Sequence, residues 1–235
     1  KPDRRQRQMC IRDRSIAGND LQLSIDAKIQ KYANDLIKDK WASITLLDIE
    51  SGEVIAMASS PDFNPNLFVS GISNDDWQNI IKDPGKPMIN KAISHQYPPG
   101  STFKPIVALA ALENGFNPNK KYICNGHTKL GRRKFHCWKK EGHGPLNLTE
   151  AIERSCNIYF YNMSREVGID NINKVAKDFA LGKKTEISLY NERSGLVPTK
   201  AWKKKYYKTP WVLGDTYNAS IGQGFVESTN LQLAL

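Results

Sequence analysis

Tyr97-Pro98-Pro99-Gly100-Ser101-Thr102-Phe103-Lys104-Pro105, followed by the apolar run Ile106 to Leu112, is the stretch on which the fold of this chain turns. A Ser and a Lys three apart at the start of a helix share one face, so the amine of Lys104 can reach the hydroxyl of Ser101, as a base reaches its nucleophile. Pro98-Pro99-Gly100 forces an abrupt entry, and Pro105 falls in the first turn, where a missing N–H costs least. The apolar run predicts a helix buried behind the site. Near its positive end a developing Ser101 alkoxide is favoured, and Lys104 must be partly desolvated to act as a neutral base near pH 7. Ser-x-x-Lys by itself is a weak signal, because a surface Ser near a surface Lys is the common case. It occurs once in this chain, however, and Ser155-Cys156-Asn157 follows it as a Ser-x-Asn.

Upstream of that stretch, Asn19 to Asp26 alternates apolar and polar residues and predicts a short strand. Asp26 then caps a helix with Ile29, Tyr32, Ala33, Leu36 and Ile37 on one side. Ala42 to Asp48 and Val54 to Ser59 flank the Gly-containing turn Glu50-Ser51-Gly52-Glu53, which predicts an antiparallel hairpin, and its near-continuous apolar runs suggest burial on both faces. Ser73 caps a short helix reaching about Ile81.

Downstream, residues 117–145 lack periodicity and read as an insert or lobe surface. Asn147-Leu148-Thr149-Glu150 has the form of a capping box, starting a helix that delivers Ser155. Helices over Ile158 to Glu166 and Asp170 to Ala180 follow, then a turn at Arg193-Ser194-Gly195 and a basic stretch from Lys200 to Lys208. The chain stops inside an apolar helical pattern at Leu235.

The chain has 235 residues, 40% hydrophobic and 25% charged, which fits one well-cored globular body and excludes disorder as the default. No run of 18 apolar residues and no secretory core is present, so no membrane-spanning or targeting segment is expected within it. The net charge is +10, of which residues 1–14 carry +4. That segment has no apolar period and resembles translated sequencing-adaptor read-through; the alternative is a disordered basic arm that binds nucleic acid. The remaining charge is dispersed without aromatic interleaving, so no nucleic-acid partner is expected.

The Ser101/Lys104 and Ser155/Asn157 motifs resemble the first two motifs of the penicillin-recognising serine acyltransferases. With Asp48 to Met57, Pro61 to Asn66 and Gly214 to Gly224, they resemble the transpeptidase domain of class B penicillin-binding proteins. Trp138-Lys139-Lys140, Gly142-His143-Gly144 and Gly168-Ile169-Asp170 point to the elongation-type branch.

The resemblance implies an α+β fold of the penicillin-binding protein transpeptidase and serine β-lactamase type, an antiparallel sheet flanked by an all-α lobe. Sheet-side elements are expected over 20–60 and the α lobe over about 88–235, within one domain spanning 15–235. It also implies a peptidoglycan D,D-transpeptidase that cross-links stem peptides ending in D-Ala-D-Ala and binds β-lactams. Such an enzyme serves cell elongation and shape beside a membrane glycosyltransferase, at the periplasmic face of the bacterial inner membrane, anchored by a segment outside this chain.

In the family's chemistry Ser101 attacks the penultimate D-Ala carbonyl and Lys104 takes its proton. Ser155 relays a proton, Asn157 holds the substrate amide, and the Ser101 N–H forms half of an oxyanion hole. The family's third motif, Lys-Ser/Thr-Gly, is expected beyond Leu235. Lys208-Thr209-Pro210 does not supply it, because Pro replaces the Gly and the position is too early. Several strands of the central sheet, the carboxylate-binding residues and much of the activity are therefore expected to be missing. A β-lactamase, with Glu186 or Glu192 activating water, and a non-catalytic β-lactam sensor are the alternatives.

Cys124, Cys137 and Cys156 remain once Cys10 is set aside, with His127, His136 and His143 nearby. Cys124, Cys137, His143 and Cys156 make a known structural Zn²⁺ set, though at looser spacing than a zinc finger's. A disulfide or unconnected thiols are the alternatives. Some elongation-type relatives carry zinc in this lobe, with Asp replacing some of these Cys. Such an ion would be structural and would help to position Ser155 and Asn157. His127 and His136 read as surface residues.

Overall fold

The computed structural model describes residues 18–235, so the basic segment 1–14 and Cys10 lie outside the described residues. The expected strand over Asn19 to Asp26 does not form. Leu21 and Leu23 are exposed, so their alternation finds no buried face. Ser24 Oγ and Asp26 N of the segment donate to Val54 O and Ile55 O of the sheet.

Helix α1 (Ala27–Ile37) starts as its cap predicts, with Asp26 accepting from the Lys28 and Ile29 N–H groups. Strands β1 (Ala42–Leu47) and β2 (Val54–Ser60) form an antiparallel hairpin from Ala42↔Ser60 to Leu46↔Ala56, with a register shift between Leu46 and Leu47. Asp48 Oδ1 closes the turn by accepting from the Glu50 and Ser51 N–H groups. Burial on β2 alternates: Ala56, Ala58 and Ser60 face inward, while β1 is only half-covered. Both faces are nonetheless covered, as expected: α1 packs Ala33 and Ile37 against Ala58 on one, and Ala92, Ile93 and Leu231 pack against Leu47 and Met57 on the other. Gln30 of α1 also exchanges two hydrogen bonds with the Met57 backbone, 2.8 and 3.0 Å, closing the outer edge of β2.

Helix α2 (Asn74–Lys82) begins at Ser73, whose hydroxyl accepts from Asp76 N. A 3-10 turn (Gly100–Phe103) then runs into α3 (Lys104–Glu113). Helix α3 is apolar nearly all round, which marks a central helix. Val107, Ala110 and Ala111 have no exposed surface, and they belong to the main core with Phe103, Tyr159, Phe160, Met163, Ile172 and Tyr217.

Residues 117–145 are more ordered than their composition suggests. They fold into β3 (Tyr122–Cys124) paired with β6 (Gly144–Leu146), and β4 (His127–Leu130) paired with β5 (Arg133–His136). Strands of three or four residues are too short to show a period in sequence. The Asn147–Glu150 capping box forms at 3.0 and 2.8 Å and opens α4 (Leu148–Glu153). Helices α5 (Asn157–Val167), α6 (Ile169–Asp178), α7 (Lys200–Tyr207) and α8 (Leu213–Ser220) complete the lobe, and α9 (Asn230–Ala234) returns to the hairpin, where Leu231 packs with Leu47 and Met57. Tyr161 of α5 stacks on Tyr217 of α8 at 5.1 Å, and Phe135 of β5 meets Tyr217 edge-on at 5.1 Å.

Candidate active site and cysteine cluster

Ser101 sits inside the 3-10 turn that leads into α3, and the turn is seated by a loop more than a hundred residues later. Gly100 N donates to Gly222 O at 2.9 Å, and Tyr97 and Ser228 exchange backbone hydrogen bonds at 2.9 Å each. Gly100 (φ +63°) and Gly222 (φ +68°) both lie in the left-handed region. A Cβ on Gly222 would stand 2.1 Å from Gly100 O, so only glycine permits this approach.

Helix α4 ends two residues before Ser155, which holds φ +50°, an uncommon value for a residue with a Cβ. Cys156 is the N-cap of α5 and Asn157 its first residue. This kink aims both side chains at α3. Lys104 Nζ donates to Ser155 O at 2.7 Å, Ser155 Oγ at 2.9 Å and Asn157 Oδ1 at 2.8 Å, and Ser155 Oγ donates to Ser101 Oγ at 3.0 Å.

The four predicted residues therefore converge, with Ser155 standing between Ser101 and Lys104. Ser101 is exposed and Lys104 only 2% so. Burial pushes the Lys104 amine down from 10.5 to about 8, against the opposing pull of the Cys137 and Cys156 sulfurs. Roughly a tenth of it is then neutral at pH 7. The Phe160 ring, 5.5 Å from Nζ, faces the ammonium form.

A second Ser-x-Asn, Ser228-Thr229-Asn230, fits the same pattern in sequence. It serves a different purpose: Ser228 is buried against Tyr97, and Thr229 caps α9. Glu192 accepts from Thr185 N and Oγ1 at 2.6 Å each and lines a cavity of about 670 Å³ that Ser101 does not reach. Glu186 lines another cavity, with Leu47 and Val54. Neither carboxylate stands in the Ser101 cleft.

Cys124, Cys137, His143 and Cys156 come together with all four ligand atoms within 4.8 Å of one another. The three thiols are free. His143 Nδ1 lies 3.5 Å from Cys124 Sγ and 3.6 Å from Cys137 Sγ. Tetrahedral zinc with ordinary Zn–S and Zn–N bonds separates sulfur and nitrogen by about 3.5 Å, the spacing His143 Nδ1 keeps from Cys124 and Cys137, so the donor set suits the ion.

Burial would raise the Cys137 thiol, but the backbone N–H groups of Lys139, Asn157 and Ile158 outweigh it and hold the group low, favouring thiolate. Burial pushes Cys156 up to about 12, so that sulfur needs a cation to ionise. His127 and His136 are exposed and outside the cluster, as the sequence suggested. The sequence reading missed the seating role of Gly222; its signal was the Gly-x-Gly at 222–224, which permits close backbone approach.

Residues 42–235 match the family model described as the penicillin binding protein transpeptidase domain. The chain is 39% identical over 223 residues to the peptidoglycan D,D-transpeptidase MrdA of Haemophilus influenzae, covering 94% of this chain and 34% of that protein. It is also 39% identical over 221 residues to MrdA of Escherichia coli K12, covering 93% and 35%. The penicillin-binding protein PBP2 of Helicobacter pylori, solved in complex with MreC, superposes with a TM-score of 0.87 at 40% identity, over 91% of this chain and 40% of that one. Pseudomonas aeruginosa PBP2, solved in complex with WCK 5153, gives 0.87 at 35% identity over 93% and 50%. The chain spans about a third of the length of the MrdA proteins. The chain belongs to the penicillin-binding protein transpeptidase domain family.

Proposed function

We propose that the protein carrying this chain is a peptidoglycan D,D-transpeptidase acting through an acyl-Ser101 intermediate, as the MrdA relatives' name suggests. The observation that carries this reading is the hydrogen-bonded run from Lys104 Nζ through Ser155 Oγ to Ser101 Oγ, at 2.9 and 3.0 Å. Neutral Lys104 accepts the Ser155 proton as Ser155 accepts that of Ser101, and Ser101 Oγ bonds to the penultimate D-Ala carbonyl carbon. The Ser101 N–H donates to the oxyanion, and Asn157 offers its amide to the substrate backbone. The terminal D-Ala leaves with the relayed proton. The amine of a second stem peptide then loses a proton along the same path and displaces Ser101.

The cross-linking substrate, a glycosyltransferase partner and a place at the periplasmic face of the inner membrane belong to this proposal. They are supported by the likeness to MrdA and by a solved peptidoglycan synthase complex with a TM-score of 0.80 at 31% identity. No helix among the described residues is long and apolar enough to cross a membrane.

Cys124, Cys137, His143 and Cys156 would hold a structural Zn²⁺, which supplies cross-linking of the β3–β6 ribbon to the α4–α5 corner and no step of the chemistry. Labelling the full-length protein and its Ser101→Ala variant with fluorescent penicillin tests the enzymatic reading. Stable, stoichiometric labelling of the first and none of the second is expected, and a Ser101→Ala protein that still labels sinks it.

A further inference from the structure

The ribbon of β4 and β5 has one face that is basic along its whole length. Its register sets His127 opposite His136 and Lys129 opposite Lys134, and all four are exposed. The other face carries Thr128, Leu130, Arg133 and Phe135, with Phe135 packed on Tyr161 and Tyr217. Gly131 (φ +58°) and Arg132 make the two-residue turn, and Arg132 adds a third exposed cation at the tip.

Like charges directly opposite across two strands work against the pairing. The ion pairs among the described residues are made by Lys31, Lys120, Lys200 and Lys203, so none neutralises this ribbon. An anion laid between Lys129 and Lys134 would relieve that repulsion.

The ribbon is rooted at the site. His136 O accepts from Asn157 Nδ2 at 3.4 Å and from the Tyr161 hydroxyl at 3.5 Å. Lys134 is two residues further along β5, about 7 Å at the usual strand rise. That is about two residues of an extended peptide. We propose that Lys129, Arg132 and Lys134 bind the free carboxylates of a peptidoglycan stem peptide engaged at the Ser101 cleft. The inference rests on the transpeptidase reading above and adds to it a subsite selecting for anionic stems. An anionic bilayer fits less well, because the exposed face of the ribbon offers no large apolar side chain to enter it.

The test compares the full-length protein with its Lys129→Gln/Arg132→Gln/Lys134→Gln variant, and with Lys134→Gln alone should the triple variant melt early. Each is titrated at equilibrium with synthetic D-Ala-D-Ala stem peptides whose side carboxylates are free or amidated. The unaltered protein is expected to prefer the free acid roughly 10-fold, and the variant to bind both alike.

A preference seen also in the rate of Ser101 acylation assigns the subsite to the donor stem. One seen only in transfer to an amine-bearing stem assigns it to the acceptor. A variant that keeps the full preference overturns the proposal. So does a variant that keeps it and loses affinity only for phosphatidylglycerol vesicles, which would make the ribbon a membrane contact. Failure of penicillin to label Ser101 in the unaltered protein would sink the transpeptidase reading separately, since equilibrium binding does not depend on it.

Discussion

The Lys104 ammonium donates to the Ser155 hydroxyl at 2.9 Å, and Ser155 in turn donates to Ser101 at 3.0 Å. Two residues 51 apart in sequence are thus hydrogen-bonded, and Lys104 is linked to Ser101 through a second hydroxyl.

Ser155→Ala interrupts this path and leaves Lys104 with Asn157 Oδ1 and the residue 155 carbonyl. Acylation by penicillin is expected to slow by about 10²- to 10⁴-fold, the usual worth of a positioned proton-transfer group. Stopped-flow labelling checks it, and an unchanged rate would show that Lys104 reaches Ser101 without Ser155.

The depressed Lys104 value sets a pH profile. Acylation should rise with pH through an inflection near 8, as the amine becomes neutral, and then level off. Lys104→Arg, which stays charged, should abolish both the inflection and the activity. The stability sign follows from the same shift. The folded-state value lies below 10.5, so between about 8 and 10.5 the unfolded chain binds more protons and stability rises with pH. Below about 8 the cost of burying the ammonium is present in full.

Chelation of the proposed zinc should lower the melting temperature by on the order of 10 °C. Cys156→Ser should reduce the metal content of the purified protein and also slow penicillin labelling, because residue 156 joins Ser155 to Asn157. Metal analysis alongside thermal melts decides this. Equal zinc in Cys137→Ala and unaltered protein would remove the cluster from consideration.

Gly222→Ala places a methyl group 2.1 Å from Gly100 O at φ +68°. It should destabilise by about 2 kcal/mol or more and displace the Ser101 turn. Gly115 shares a positive φ, +78°, but a Cβ there meets nothing within 4 Å. Gly115→Ala should cost only about 1 kcal/mol and spare labelling. Denaturant melts on both variants separate conformational strain from collision.

Much of the local structure was legible because its causes are local. Asp26, Ser73 and Asn147 start their helices as their side chains require, and the Asp48–Glu53 turn closes its hairpin. The segment from Asn19 to Asp26 misled for the complementary reason: alternation marks a strand only where a second surface covers one face, and none does here. The ribbons within 117–145 escaped notice because their strands span three or four residues, less than a readable period.

By itself the sequence determined the caps, the turn glycines, the one Ser-x-x-Lys and the supply of thiols and imidazoles, all properties of residues near one another in the chain. The resemblance singled out Ser155 and Asn157, but only the tertiary structure shows how they meet Lys104: Ser155, at φ +50°, follows a helix end that turns it toward α3. The same holds for Cys124 and Cys156, brought within metal-ligand reach by the packing of β3 on α5. Convergence of distant groups is a consequence of how apolar faces bury against one another, and no spacing along a chain encodes it.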